Sequence, residues 1–275
     1  MVKKLQSIWS NLKHDTSMYV ASLFMQAKAA SALRGAFLAQ VFGMMLNNAA
    51  VIVAWGFFFD KFGTIHGWGL HDFIAMQAVS MFIYGAILFA STGLMDIPRH
   101  VDTGSFDAFL TKPVSVLGQV GSSNIDISTV GDMVLGVVLM VWYIATTDVS
   151  VMALLLFVLS ICIALVIFWC AVMLFPYILA FYVFDSERLS RYFGVMFLDA
   201  MNFPGGLLTG ALRAFFLVVV PSLMVGVVPV DILRGLEWKW VGYGAIIAIV
   251  WLVFSLWLFR RALRRYESAN LVGSR

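Results

Sequence analysis

Apolar residues fill this chain in long blocks separated by short polar stretches, and the block lengths predict membrane-crossing helices. Roughly 20 apolar residues, rising about 1.5 Å each, cross a bilayer core of about 30 Å. Blocks at about 35–59, 72–95, 124–147 and 241–259 each predict one spanning helix. The block at 149–184 has no charged residue along its length. As a straight helix it would reach roughly 54 Å. It therefore either tilts and projects beyond the bilayer or holds a break near Phe175-Pro176.

From 189 to 240 the pattern is irregular. Asp199 and Asn202 interrupt an apolar run, and Pro204, Gly205, Gly206, Gly210, Arg213, Pro221, Gly226 and Pro229 follow. Broken helices survive at membrane depth only where protein or a water-filled cavity covers them. The pattern predicts a short fifth span at 189–204, followed by a re-entrant segment on the far side over 205–235. A fifth span at 207–228 is the competing reading. Ahead of the first span, Leu5, Ile8, Trp9 and Leu12 recur at helical spacing opposite Lys3, Lys4 and Lys13. With Tyr19 and Leu23 continuing toward Lys28 and Arg34, the stretch 1–34 reads as an amphipathic helix lying in the interface. No apolar core follows Met1-Val2-Lys3-Lys4 until about residue 35, so no cleavable signal peptide is expected.

Composition changes the picture in one respect: 62% hydrophobic and 12% charged residues exclude a soluble domain. Charge then sets orientation, because Lys and Arg favour the cytoplasmic side. With both termini inside, 14 of the 18 Lys and Arg residues fall on that side. The expectation is an all-α, multi-pass protein of the bacterial inner (plasma) membrane. It has an interfacial helix (1–34), a six-span domain (35–259) and a basic cytoplasmic tail (260–275).

Candidate chemistry is sparse. In the cytoplasmic loop 96–123, Gly104 and Ser105 open a turn and Pro113 closes it. Between them Phe106, Phe109 and Leu110 fall at i, i+3, i+4, one face of a two-turn helix. Such a face exposed to cytosol calls for a partner. Asp132, eight residues into the third span, and Asp199 are costly inside a membrane. Each is expected to pair with Arg213 or a backbone group, or to face a substrate path. Asn47 and Asn48 suit interhelical hydrogen bonding, and with Asn202 they are the other polar groups a path could use. Cys162 and Cys170 lie in one apolar run, which reads as free, buried thiols, and the four histidines are scattered over both sides. No lysine follows a glycine, so the chain has no Walker A sequence. No internal repeat is visible, which disfavours an inverted-repeat secondary transporter.

The run Gly104-Ser105-Phe106-Asp107-Ala108-Phe109-Leu110-Thr111-Lys112-Pro113 resembles the G-x-x-D-x-x-L-x-K-P signature of ABC-2 type permeases. Arg260-Arg261 through Tyr266-Glu267-Ser268-Ala269 resembles the tail of one ABC-2 subfamily. Phe203-Pro204 and Val228-Pro229-Val230-Asp231 resemble its proline landmarks. The resemblance implies a type V exporter-like architecture: six spans, the interfacial helix, a cytoplasmic coupling helix and a re-entrant outer segment before span six. It implies a non-catalytic permease subunit that pairs with itself or a related permease in the lipid bilayer. ATP and Mg would be bound by a separate ABC ATPase, with no cofactor in this chain and no nucleic-acid partner. Ser105, Phe106, Asp107, Phe109, Leu110, Lys112 and Pro113 map onto the coupling segment that contacts the ATPase. The loop departs from the family in having only Arg99 and Lys112 beside Asp96, Asp102 and Asp107. The alternative function is a self-sufficient secondary transporter or channel.

Overall fold

The computed structural model describes residues 2–32, 34–183, 186–205, 207–235 and 238–266, with backbone alone for 2–13 and Ala30. The described residues are almost wholly helical, and an isolated bridge between Ile65 and Trp68 is their one β feature. α1 (Val2–Ser31) precedes the first apolar helix, α2 (Arg34–Phe62). The stripe of Leu5, Ile8, Trp9 and Leu12 lies outside the described side chains. Farther along α1, Met18, Phe24 and Met25 are exposed.

α3 (Leu70–Ser91) is the central helix. It leads through a tight 3-10 turn (Thr92–Asp96) into α4 (Ile97–Asp102), α5 (Asp107–Leu110) and α6 (Val116–Gly121). α7 (Thr129–Thr146) then packs along α3, and glycines on both helices make the approach close. A Cβ on Gly136 would stand 2.7 Å from the Ala78 carbonyl oxygen, and one on Gly85 2.8 Å from that of Thr129. Small residues at such a crossing let backbones meet where lipid offers no hydrophobic drive.

The long uncharged block stays one continuous helical run from Val151 to Phe181 and changes its winding at the expected place. α8 (Val151–Phe168) passes into a π-helical stretch (Trp169–Leu174), then α9 (Phe175–Ile178) and a 3-10 turn (Leu179–Phe181). Phe175 N–H donates to the Cys170 carbonyl, five residues back. Pro176 explains the widening, since it has no N–H to continue the α pattern and its ring crowds the preceding turn. Both cysteines are free. Cys170 is buried, whereas Cys162 lies on the outer surface rather than in the core.

α10 (Ser186–Met201) has 16 residues, about 24 Å, which falls short of a bilayer core. α11 (Gly210–Val218) and α12 (Leu223–Leu233) follow, bent 104° from each other at a break that holds Pro221. A straight helix over 207–228 is therefore not formed. Every residue of α12 is buried, with Pro229 inside it. α13 (Lys239–Arg265) is the last helix among the described residues. Among the described residues five helical stretches are long and apolar enough to cross a membrane, or six if the bent pair counts as one. The core is built on α3, the α8–α9 stretch and α12, while α2 packs mainly through one edge onto α7.

Candidate functional site

Three polar or mixed clusters stand out from this apolar frame. The first is the segment from α4 to α6. Gly104 has φ +70°, a left-handed conformation that favours glycine, and it turns the chain between α4 and α5. Ser105 Oγ fastens that turn, 2.8 Å from His100 Nδ1 and 2.9 Å from Thr103 Oγ1. Ser115 caps α6 by accepting from Gly118 N–H at 3.3 Å.

The expected cytosolic face of Phe106, Phe109 and Leu110 is corrected here. α5 is one turn long, and Phe106 is fully buried. Its ring centroid lies 5.2 Å from both Phe181 and Tyr266, and 5.9 Å from Phe109. Phe109 is half-buried, edge-on to His100, while Leu110, Lys112 and Pro113 are exposed. The physical reason is tertiary: Phe181 and Tyr266 supply an aromatic pocket, and three large apolar groups left outside it would expose more apolar area than one, so the chain folds two inward. The Asp107 carboxylate neighbours Tyr266; burial first, then the hydrogen bond to Asp107 and last its charge, push the Tyr266 phenol up to about 12. α1 braces the segment from the other side. Tyr19 OH donates to the Ala90 carbonyl, and Ser22 Oγ (3.0 Å) and Gln26 Nε2 donate to that of Ser122.

The second cluster is a cavity of about 250 Å³ between α2, α3, α7 and α10. Asn47, Asn48, Asp132 and Asn202, all singled out from sequence, line it together. Asp199 does not; it is exposed on α10. Asp132 is buried in the first turn of α7, one turn inside the helix and not two, so the helix N-terminus itself favours its negative charge. Asn48 Nδ2 donates to Asp132 Oδ1. Arg213, the expected partner, lies elsewhere. Gln77, Ser80 and Tyr84 also line the cavity. They fall at i, i+3, i+7 of α3, so helical spacing puts them on one polar stripe. Gln77 Oε1 and Ser80 Oγ have no hydrogen-bond partner among the described residues.

The third cluster joins the bent pair to the turn before α3. Arg234 Nε lies 3.6 Å from Asp72 Oδ1, its Nη1 3.7 Å from Asp231 Oδ1, and its Nη2 donates to Gly67 O at 2.7 Å. The guanidinium also sits 5.0 Å from the Trp68 ring centroid. Arg213 reaches Asp231 Oδ2 at 3.8 Å and donates to Gly205 O at 3.3 Å. Tyr143 OH donates to Asp72 at 3.3 Å. Of the residues expected in a re-entrant segment, Pro204, Gly205, Arg213, Pro221 and Pro229 fall in or beside this assembly, and Gly206 lies outside the described residues. Asp72, Asp231 and Arg234 were missed as site residues. The i, i+3 spacing of Asp231 and Arg234 was the available signal.

Among the described residues no three His, Cys, Asp or Glu side chains gather as a metal ion would need. Residues 45–270 match a family model described as ABC-2 family transporter protein. Neither the curated proteins nor the solved structures contain a match to the chain.

Proposed function

The chain belongs to the ABC-2 family of transporter proteins, and from that membership we propose that it is the permease subunit of an ABC exporter driven by a separate ATPase subunit. It is a multi-pass membrane transport protein. In the proposed arrangement both termini and the α4–α6 segment face the cytoplasm of a bacterial cell. The bent pair α11–α12 enters from the outer side and returns without crossing. The polar cavity between α2, α3, α7 and α10 belongs to the translocation path, with Asn47, Asn48, Asp132 and Asn202 on its wall and Asp199 beside it. A second permease, identical or related, completes the path.

One observation carries the reading. The α5 tip is anchored at its base to two separate long helical stretches, through Phe106 against Phe181 after α9 and Tyr266 after α13. Leu110 at the tip stays 45% exposed. A rigid tip tied to two spans converts a push from outside the membrane into helix movement, because packed cores shift between discrete arrangements and do not deform smoothly. The absence of a Walker A sequence fits an ATPase on another chain, which would bind the ATP and Mg.

The test is a mild-detergent purification from native membranes with quantitative mass spectrometry of the associated proteins. The expected result is a P-loop ATPase near one per permease, reduced several-fold by Leu110→Asp with unchanged permease level. Purification in several detergents with no ATPase above background would overturn the proposal and favour a self-sufficient secondary transporter.

A further inference from the structure

A cleft of about 500 Å³ lies between the end of α13, α6 and the π-helical stretch after α8. Leu94, Leu117, Trp169, Leu256 and Leu263 give it an apolar wall, and Arg260 stands at its edge, exposed. α13 has 27 residues, about 40 Å, so its last turns extend past a core of about 30 Å to the level of lipid headgroups.

The four arginines at this end are not equivalent. The Arg261 guanidinium covers the Trp257 ring at 5.6 Å, and that of Arg265 covers Tyr182 at 5.3 Å. Arg260 and Arg264 are both exposed, stand one turn apart on the same face, and make no ion pair among the described residues. An apolar cleft at interface depth, with the Arg260 guanidinium at its edge and Arg264 one turn beyond on the same face, is complementary to a molecule with a hydrocarbon chain and a phosphodiester. Arginine matches phosphate oxygens with paired N–H donors, and basic pockets between spanning helices hold anionic headgroups.

We propose that this cleft is a binding site for one anionic glycerophospholipid, an acyl chain between Leu117 and Leu263 and the phosphate on Arg260 and Arg264. The bound chain fills the space between α13 and α6, so the lipid ties the α4–α6 segment to the last span. The inference rests on the membrane setting alone and stands independently of the ATPase reading.

The purified full-length chain, reconstituted in nanodiscs holding phosphatidylglycerol and phosphatidylcholine with matched acyl chains, provides the test. Lipids retained after gentle extraction are counted by native mass spectrometry. The expected result is one phosphatidylglycerol per chain, preferred over phosphatidylcholine roughly thirtyfold, as two interface-level arginines imply. R260Q with R264Q should bring the two lipids near parity, with Arg261 and Arg265 left to hold topology. L117W should displace both lipids by filling the cleft, and K239Q, a cation at the other end of α13, should leave the preference intact. Parity in the unmodified protein overturns the proposal. So does an undiminished preference in the double arginine variant, or an equal loss in K239Q, which would mean general surface charge alone.

Discussion

Arg234, in the turn after α12, lies 3.6 Å from Asp72 in the first turn of α3 and donates to the backbone at Gly67 just before it. This single side chain fastens the bent pair to the short turn joining α2 and α3. Its neighbours make the arrangement balanced, because Asp72 and Asp231 on one side meet Arg234 and Arg213 on the other. Charges at this depth persist when each has a partner and hydrogen bonds use the remaining donors, as the contacts of Arg234 to Gly67 and of Tyr143 to Asp72 do.

Arg234→Ala should therefore destabilise more than a surface ion pair would. It leaves Asp231, 7% exposed at its side chain, short of one cationic partner. The expected cost is about 2–3 kcal/mol, under the roughly 3–5 kcal/mol of a fully buried pair because a fifth of the Arg234 side chain still meets solvent. Thermal unfolding in detergent reads the loss. Arg234→Lys should recover only part of it, since lysine keeps the charge but has no planar face for Trp68. An Arg234→Ala protein as stable as the parent would mean the network is idle.

The α3–α7 crossing predicts a different failure. Gly136→Val would drive its branched side chain into the Ala78 carbonyl and the Phe82 backbone. Overpacking of this kind costs roughly 1–3 kcal/mol. Because α7 also carries Asp132, the shift should open the Asn48–Asp132 contact as well. Cysteine crosslinking between positions 48 and 132 reads the α2–α7 separation that this contact requires: efficiency in the Gly136→Val background should fall severalfold, and an unchanged yield would contradict the close-crossing account.

Periodicity and length carried the apolar frame from sequence to structure. The first, second, third and last spans, and the change of winding ahead of Pro176, each follow from a local property of their own residues. What stayed hidden depends on contacts, some between residues far apart in the chain and some in the turn ahead of a helix. Phe106 looked like a surface group because its pocket is made by Phe181 and Tyr266. Asp132 looked deep because the start of α7 depends on Asp126 and Ser128: the Asp126 side chain accepts from Ser128 N–H at 3.0 Å, holding a turn ahead of the helix. Arg213 and Asp132 were the obvious opposite charges, yet Asp231 and Asn48 took those roles. Four of the five polar residues named for a path do share one cavity, since intramembrane polar groups have few other places to go.

High pH should loosen the α5 anchor. The Tyr266 phenol is pushed up to about 12, first by burial and then by Asp107, whereas a free tyrosine ionises near 10. A raised value means the folded state favours the neutral phenol. Its contribution is complete below pH 10 and is lost as pH rises toward about 12. Phenolate absorbance at the late end of the titration should fall by one tyrosine in Tyr266→Phe. The variant should also flatten the decline in stability across that interval. A Tyr266 that ionises near 10 would remove the basis for this expectation.

Anchor and tip of the α5 segment should separate cleanly under mutation. Phe106 is fully buried against two aromatic rings, so Phe106→Ala leaves a cavity costing about 3–5 kcal/mol, seen as a large fall in melting temperature. Leu110 is 45% exposed and sits outside that pocket, so Leu110→Ala should move stability by under about 0.5 kcal/mol. If the tip transmits force from an ATPase, Leu110→Ala should nonetheless cut transport and ATPase co-purification. Phe109 is half-buried and would mix both effects, which makes it the poorer probe. A Phe106→Ala protein with an unchanged melting temperature would refute the anchor. Full transport and normal ATPase retention in Leu110→Ala would remove the tip from the coupling surface, and Lys112 and Pro113 would then be the exposed residues left to carry the contact.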